Sequence, residues 1–176
     1  MGCHLLRLAR LGLALSATGI LLADAPVLAF TAGGAWPTGQ TRSAYTDRMG
    51  LSVGASAEWE ISPGHGTRLA LDGTFHAQDH PGGTDGGRVQ SQALTLGYVF
   101  RPRAELQGAY FLLGAGAMNV QDRSGGLFRE TGVKLAWYAG AGLDLDDRWG
   151  LLARFLGTTE RDQHACMVTA GLTYRF

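Results

Sequence analysis

The stretch Ala165-Cys166-Met167-Val168-Thr169-Ala170-Gly171-Leu172-Thr173-Tyr174-Arg175-Phe176 ends the chain and decides the reading of its fold. Side chains alternate across an extended strand. Cys166, Val168, Ala170, Leu172, Tyr174 and Phe176 therefore share one face, while Thr169, Gly171, Thr173 and Arg175 share the other. One face suits hydrocarbon and the other suits water. Chain ends that fray in water seldom stay amphipathic up to a terminal aromatic residue.

The same alternation recurs upstream. In Met49 to Ile61, Leu51, Val53, Ala55, Ala57, Trp59 and Ile61 oppose Ser52, Gly54, Ser56, Glu58 and Glu60. Thr67 to Gln78 sets Leu69, Leu71 and Phe75 against Arg68, Asp72, Thr74 and His76, and Val89 to Phe100 sets Leu94, Leu96, Tyr98 and Phe100 against Thr95 and Gly97. Gly132 to Asp144 and the segment from Trp149 to Phe155 follow the rule, with Lys134, Tyr138, Asp144, Leu152 and Arg154 on the second face. Phe30 to Trp36 is the weakest segment. In Leu106 to Asn119, Tyr110-Phe111-Leu112-Leu113-Gly114-Ala115-Gly116-Ala117 has two faces that polarity does not separate; its small residues leave room for a neighbouring strand's interior side chain.

Eight strands result. The links at 62–66, 101–105 and 145–148 are short, whereas those at 37–48, 79–88, 120–131 and 159–164 are longer and polar. Alternating short turns and long loops are expected of a transmembrane barrel.

At the other end, Arg7 and Arg10 precede the uncharged apolar run Leu11 to Leu22, and Val27-Leu28-Ala29 offers small or apolar residues to a signal peptidase. The layout predicts a cleavable signal peptide over 1–29 and a barrel domain over 30–176. The run is too short for a spanning helix, and no later segment is long enough, so a membrane location requires a barrel. Cys3 leaves with the leader, so Cys166 is the single cysteine of the mature chain and no internal disulfide forms. Loss of Arg7, Arg10 and Asp24 leaves 13 basic against 14 acidic side chains, a balance that recruits no nucleic acid.

Alternation alone does not say whether the apolar face points in, as in a soluble barrel or sandwich, or out toward lipid. The rings decide. Trp59, Tyr98, Phe100, Trp149, Tyr174 and Phe176 cluster beside the short turns, as an interfacial girdle does, and Trp137 alone is assigned to the opposite girdle. The inward face then carries Glu58, Glu60, Arg68, Asp72, His76, Lys134, Asp144, Arg154 and Arg175. An eight-stranded barrel has room only for side chains, so these charges are expected to pair in a network that fills the lumen.

With these segments placed, residues 30–176 resemble the small bacterial outer-membrane β-barrels, the eight-stranded OmpA/OmpX-like and opacity-protein-like group. Leu112-Leu113-Gly114-Ala115-Gly116-Ala117, Ala139-Gly140-Ala141-Gly142-Leu143-Asp144, Trp149-Gly150-Leu151 and Gly171-Leu172-Thr173-Tyr174-Arg175-Phe176 carry the likeness. It implies an all-β, antiparallel up-and-down transmembrane barrel in the outer membrane. It also implies that Leu172, Tyr174 and Phe176 form the signal read by the barrel-assembly machinery and periplasmic chaperones, and that lipid and lipopolysaccharide surround the protein.

No catalytic set emerges. Barrel lipid A deacylases carry a His-x-Ser pattern, but His76 is followed by Ala77-Gln78 and His164 by Ala165-Cys166. His164 and Cys166 share a face without a positioned acid. His65 and His80 with Asp79 and Asp85 give a faint metal pattern, read as solvated loop, and Gly82 to Gly87 lacks the Lys-Ser/Thr of a phosphate cradle. The expectation is a non-enzymatic barrel without cofactor or metal, acting in structure or surface interaction through loops 37–48, 79–88 and 120–131, toward an extracellular ligand the sequence does not name. A lipid A-modifying hydrolase and a narrow passive channel are the alternatives.

Overall fold

The computed structural model describes residues 25–38, 49–77, 88–102, 108–122, 132–158 and 166–176. Their strands are β1 (Val27–Thr38), β2 (Gly50–Ser62), β3 (His65–Ala77), β4 (Arg88–Phe100), β5 (Gly108–Asp122), β6 (Gly132–Asp144), β7 (Trp149–Thr158) and β8 (Cys166–Arg175). Each pairs antiparallel with its neighbours in chain order, and β8 pairs back onto β1 to close a barrel.

β1 is longer than its own alternation suggests. It begins at Val27, three residues before Phe30, because β2 holds one of its edges and β8 the other. The Phe176 N–H also donates to the Leu28 carbonyl at 3.0 Å. β5 and β7 likewise run past Asn119 and Phe155, to Asp122 and Thr158. Residues 1–24 of the leader expected over 1–29 lie outside the described residues, and so do 39–48, 78–87, 103–107, 123–131 and 159–165, with His80 and His164 among them.

The short turns explain themselves locally. Pro63 presets the first central position of the β2–β3 turn and Gly64, at φ 80°, supplies the positive angle of the second. The Arg101 N–H donates to the Gly64 carbonyl at 2.8 Å, joining the β4 end to this turn. In the β6–β7 turn Asp146 Oδ1 accepts the N–H groups of Arg148 and Trp149 at 2.7 and 2.6 Å. Those two donors hold its carboxyl below the ordinary carboxylate range.

Closure has a measurable stagger. Following register partners from Val27 through Glu58, Arg68, Gly97, Gly114, Tyr138, Leu156 and Met167 returns to β1 at Pro37, ten residues along from the start. With eight strands at ordinary spacings, a shear of ten corresponds to a strand tilt of about 40° and a backbone radius of about 8 Å. Side chains from opposite walls meet in a lumen of that width.

The apolar faces point outward. Leu71, Leu113 and Leu135 are 58%, 64% and 64% exposed, an arrangement that water would penalise and hydrocarbon would not. At the short-turn end Trp149 packs edge-on to Tyr174, and Tyr174 edge-on to Phe176, with ring centroids 4.8 and 5.2 Å apart. The opposite end carries more aromatic residues than Trp137 alone: Trp36 and Phe75 are exposed there, and Trp137 stacks on Phe155 at 5.2 Å. The weak alternation of β1 hid Trp36.

Candidate functional site

The interior is built by two tyrosines that lie across glycines. Tyr138 of β6 extends its ring over Gly114 of β5 and its hydroxyl over Gly97 of β4, while Tyr110 of β5 covers Gly142 of β6; a Cβ at any of these glycines would collide with the ring. Both tyrosines are fully buried. Inward Val99, Leu112, Met118, Leu152, Leu156 and Met167 pack with them, so part of the lumen is apolar and not polar throughout. This is the face of β5 that polarity left unresolved.

Three levels of charge occupy the rest. At mid-depth Arg154 Nη1 and Nη2 donate to Asp72 Oδ2 and Oδ1 at 2.9 and 2.5 Å, with both side chains less than a tenth exposed. β3 and β7 stand opposite each other in an eight-stranded ring, so this pair spans the lumen. Toward the short turns Arg101 binds Glu58, Arg175 binds Asp144, and Arg101 Nε lies 3.7 Å from Asp144 Oδ2. The Arg101 guanidinium also sits 5.3 Å from the Tyr110 ring centroid. Toward the long-loop end His76 Nε2 lies 3.3 Å from the Ala35 carbonyl, Thr74 bonds Ser91 at 2.6 Å, and Lys134 is buried near the same level.

Two expected members behave differently. Glu60 has inward parity but is exposed at the rim, where it lines a cavity of about 70 Å³ with Glu58, His65, Arg101 and Arg175. Arg68 is buried and faces Glu58 in register, yet Glu58 turns to Arg101 instead. Arg101 was missed because Arg101-Pro102 reads as a stop. Continuing the alternation one residue past Phe100 would have placed it inward, since Tyr98 and Phe100 point out and Val99 points in.

The terminal residues lie on the outer wall: Leu172 and Phe176 are exposed, and Tyr174 is held between Trp149 and Phe176. Among the described residues no group of three His, Cys, Asp or Glu is placed to hold a metal.

Residues 12–176 match the family model described as outer membrane protein beta-barrel domain. The chain belongs to that family. Its place is accordingly the bacterial outer membrane. Among solved structures, the barrel is similar to Ail, the attachment invasion locus protein of Yersinia pestis, in complex with the heparin analogue sucrose octasulfate. That match has 19% identity and a TM-score of 0.58, and covers 88% of this chain and 100% of that one. The N-terminal β-barrel domain of Pseudomonas aeruginosa OprF is 15% identical, with a TM-score of 0.55 and coverage of 88% and 99%. Neisserial surface protein A is 18% identical, with a TM-score of 0.53 and the same coverage. Identities this low speak for fold alone. No curated protein matches the chain.

Proposed function

We propose that this outer-membrane barrel is non-enzymatic, that its interior is a plug and that its long loops make contacts at the cell surface. The observation that carries the reading is the Asp72–Arg154 pair, which spans the lumen between two further levels of packed side chains. A bridged, side-chain-filled lumen supports a rigid scaffold over a conducting pore. All four long connections leave from the end opposite the short turns, which puts the variable surface on one side. Ail is bound to a sulfated sugar analogue, so sulfated oligosaccharide is a reasonable first ligand class for loops 39–48, 78–87 and 123–131.

The leader upstream of β1 is read as a signal peptide, and Leu172, Tyr174 and Phe176 as the motif recognised by the assembly machinery and its chaperones. Lipopolysaccharide and phospholipid coat the apolar wall. The purified protein is expected to give no steady current in planar bilayers and to release no fatty acid from lipid A. It is also expected to lose binding to immobilised heparin when 39–48, 78–87 and 123–131 are trimmed to short turns, with its heat-dependent gel shift retained. Sustained conductance or deacylation by the intact barrel would refute the reading, as would heparin binding that survives trimming.

A further inference from the structure

The outer wall of β2 is notched. Its outward side chains run Leu51, Val53, Ala55, Ala57, Trp59 and Ile61, so two methyl groups stand between longer neighbours. Register sets Leu28 of β1 and Leu69 of β3 on either side of Ala57, and Phe30 and Leu71 on either side of Ala55. Those four side chains form two banks over an alanine floor. They enclose an apolar trough of about 410 Å³, with Phe176 and Leu94 also on its lining.

The trough has the depth of one lipid leaflet. Phe176 lines it at the short-turn girdle, where its ring packs on Tyr174. Leu94 lines it six residues up β4 from Phe100, a rise of about 15 Å along a strand tilted by about 40°. Half of a hydrocarbon layer about 25–30 Å thick is nearly the same distance. The trough therefore opens at the headgroups on the short-turn side and ends near the bilayer midplane. In barrels of this kind the short turns are periplasmic. The periplasmic leaflet of an outer membrane is glycerophospholipid, while lipopolysaccharide fills the other.

Its width selects the occupant. β1 and β3 stand two strand spacings apart, about 10 Å, and the bank side chains narrow that gap further. An α-helix is about 10–12 Å across with its side chains and rides on the banks. A second copy of the barrel presents a convex wall, which touches the banks and leaves the floor empty. One extended hydrocarbon chain fits between them. Inside a bilayer such a chain gains nothing by escaping water, since the surrounding tails are as apolar as leucine. It gains van der Waals contact from the floor and both banks, where a flat wall offers one side only. We propose that the trough is a binding site for one acyl chain of a periplasmic-leaflet glycerophospholipid, held by shape and continuous with the wall that meets the rest of the bilayer.

The test uses the full barrel, extracted from outer membranes in mild detergent and weighed intact by native mass spectrometry. Wild type is expected to retain one phospholipid per chain at collision energies that strip the detergent. Ala57→Leu fills the floor with a side chain at home in hydrocarbon, so the barrel still assembles and retention is expected to fall by about tenfold. Ala55→Leu serves the same purpose should Ala57→Leu assemble poorly. Ala153→Leu is the matched control: its register partners Ala141 and Ala170 are as small, so no banks stand beside it, and retention is expected to equal wild type. In vesicles, a phospholipid spin-labelled on its acyl chain is expected to show one fewer motionally restricted lipid per barrel in Ala57→Leu than in Ala153→Leu. No phospholipid on wild type, equal retention by the two variants, lipopolysaccharide retained in its place, or a dimer that Ala57→Leu dissociates would overturn the proposal.

Discussion

Separating Asp72 from Arg154 should be far more costly than removing both. The pair is bidentate, both side chains are less than a tenth exposed, and each lies over a glycine of the adjacent strand, Asp72 over Gly54 and Arg154 across Gly140. Asp72→Leu leaves a buried guanidinium without its carboxylate, and Arg154→Met leaves the reverse. Each is expected to cost about 3–5 kcal/mol, because the remaining charge keeps its desolvation penalty and loses its compensation. The double variant, which replaces the pair with apolar groups of similar reach, is expected to fall within about 1 kcal/mol of wild type or above it. Urea unfolding in lipid vesicles, read by tryptophan fluorescence and by gel mobility, supplies the four free energies of the cycle. Single-variant costs below about 1 kcal/mol would refute the lumen-spanning role, and so would a double-variant cost equal to the sum of the two singles.

Gly142→Ala places a methyl against the Tyr110 ring and is expected to lower stability by about 1–3 kcal/mol, with partial recovery in the Gly142→Ala/Tyr110→Leu pair; equal urea midpoints for wild type and Gly142→Ala would sink the ring-over-glycine argument. Deleting Phe176, which removes the bond to the Leu28 carbonyl and the ring against Tyr174, is expected to reduce outer-membrane yield more than Cys166→Ala does, as measured by fractionation. N-terminal sequencing of the exported protein is expected to begin upstream of Val27, since cleavage after Ala29 would remove residues that pair with Glu58 and Ala57; a chain starting at Phe30 would contradict this.

Much of the barrel is legible residue by residue. Period-two alternation in β2, β3, β6 and β8 states the strands and their faces, because one face meets a single solvent along its whole length. Pro63-Gly64 and Asp146 announce turns through their own backbone chemistry. Legibility fails where neighbours substitute for local signal. β1 has little alternation of its own and is drawn out to twelve residues by β2 and β8. β5 has two apolar faces, and only the rings of Tyr110 and Tyr138 against facing glycines show which is interior.

The list of interior charges could be written from parity, but their partners could not. A slip of two residues in any one pairing, the smallest that keeps inward side chains inward, moves those on one side of it to a different level relative to the opposite wall. The shear of ten is a property of all eight pairings together, and it sets Asp72 against Arg154, Glu58 against Arg101 and Asp144 against Arg175. Arg68 is left without a carboxylate for the same reason: Glu58, its register neighbour, is claimed by a residue beyond the end of a strand. The sequence by itself determined strands, faces and turns, because alternation and backbone chemistry act over a few residues. Only the closed barrel decided which charges meet, because that depends on a register summed around the whole circumference.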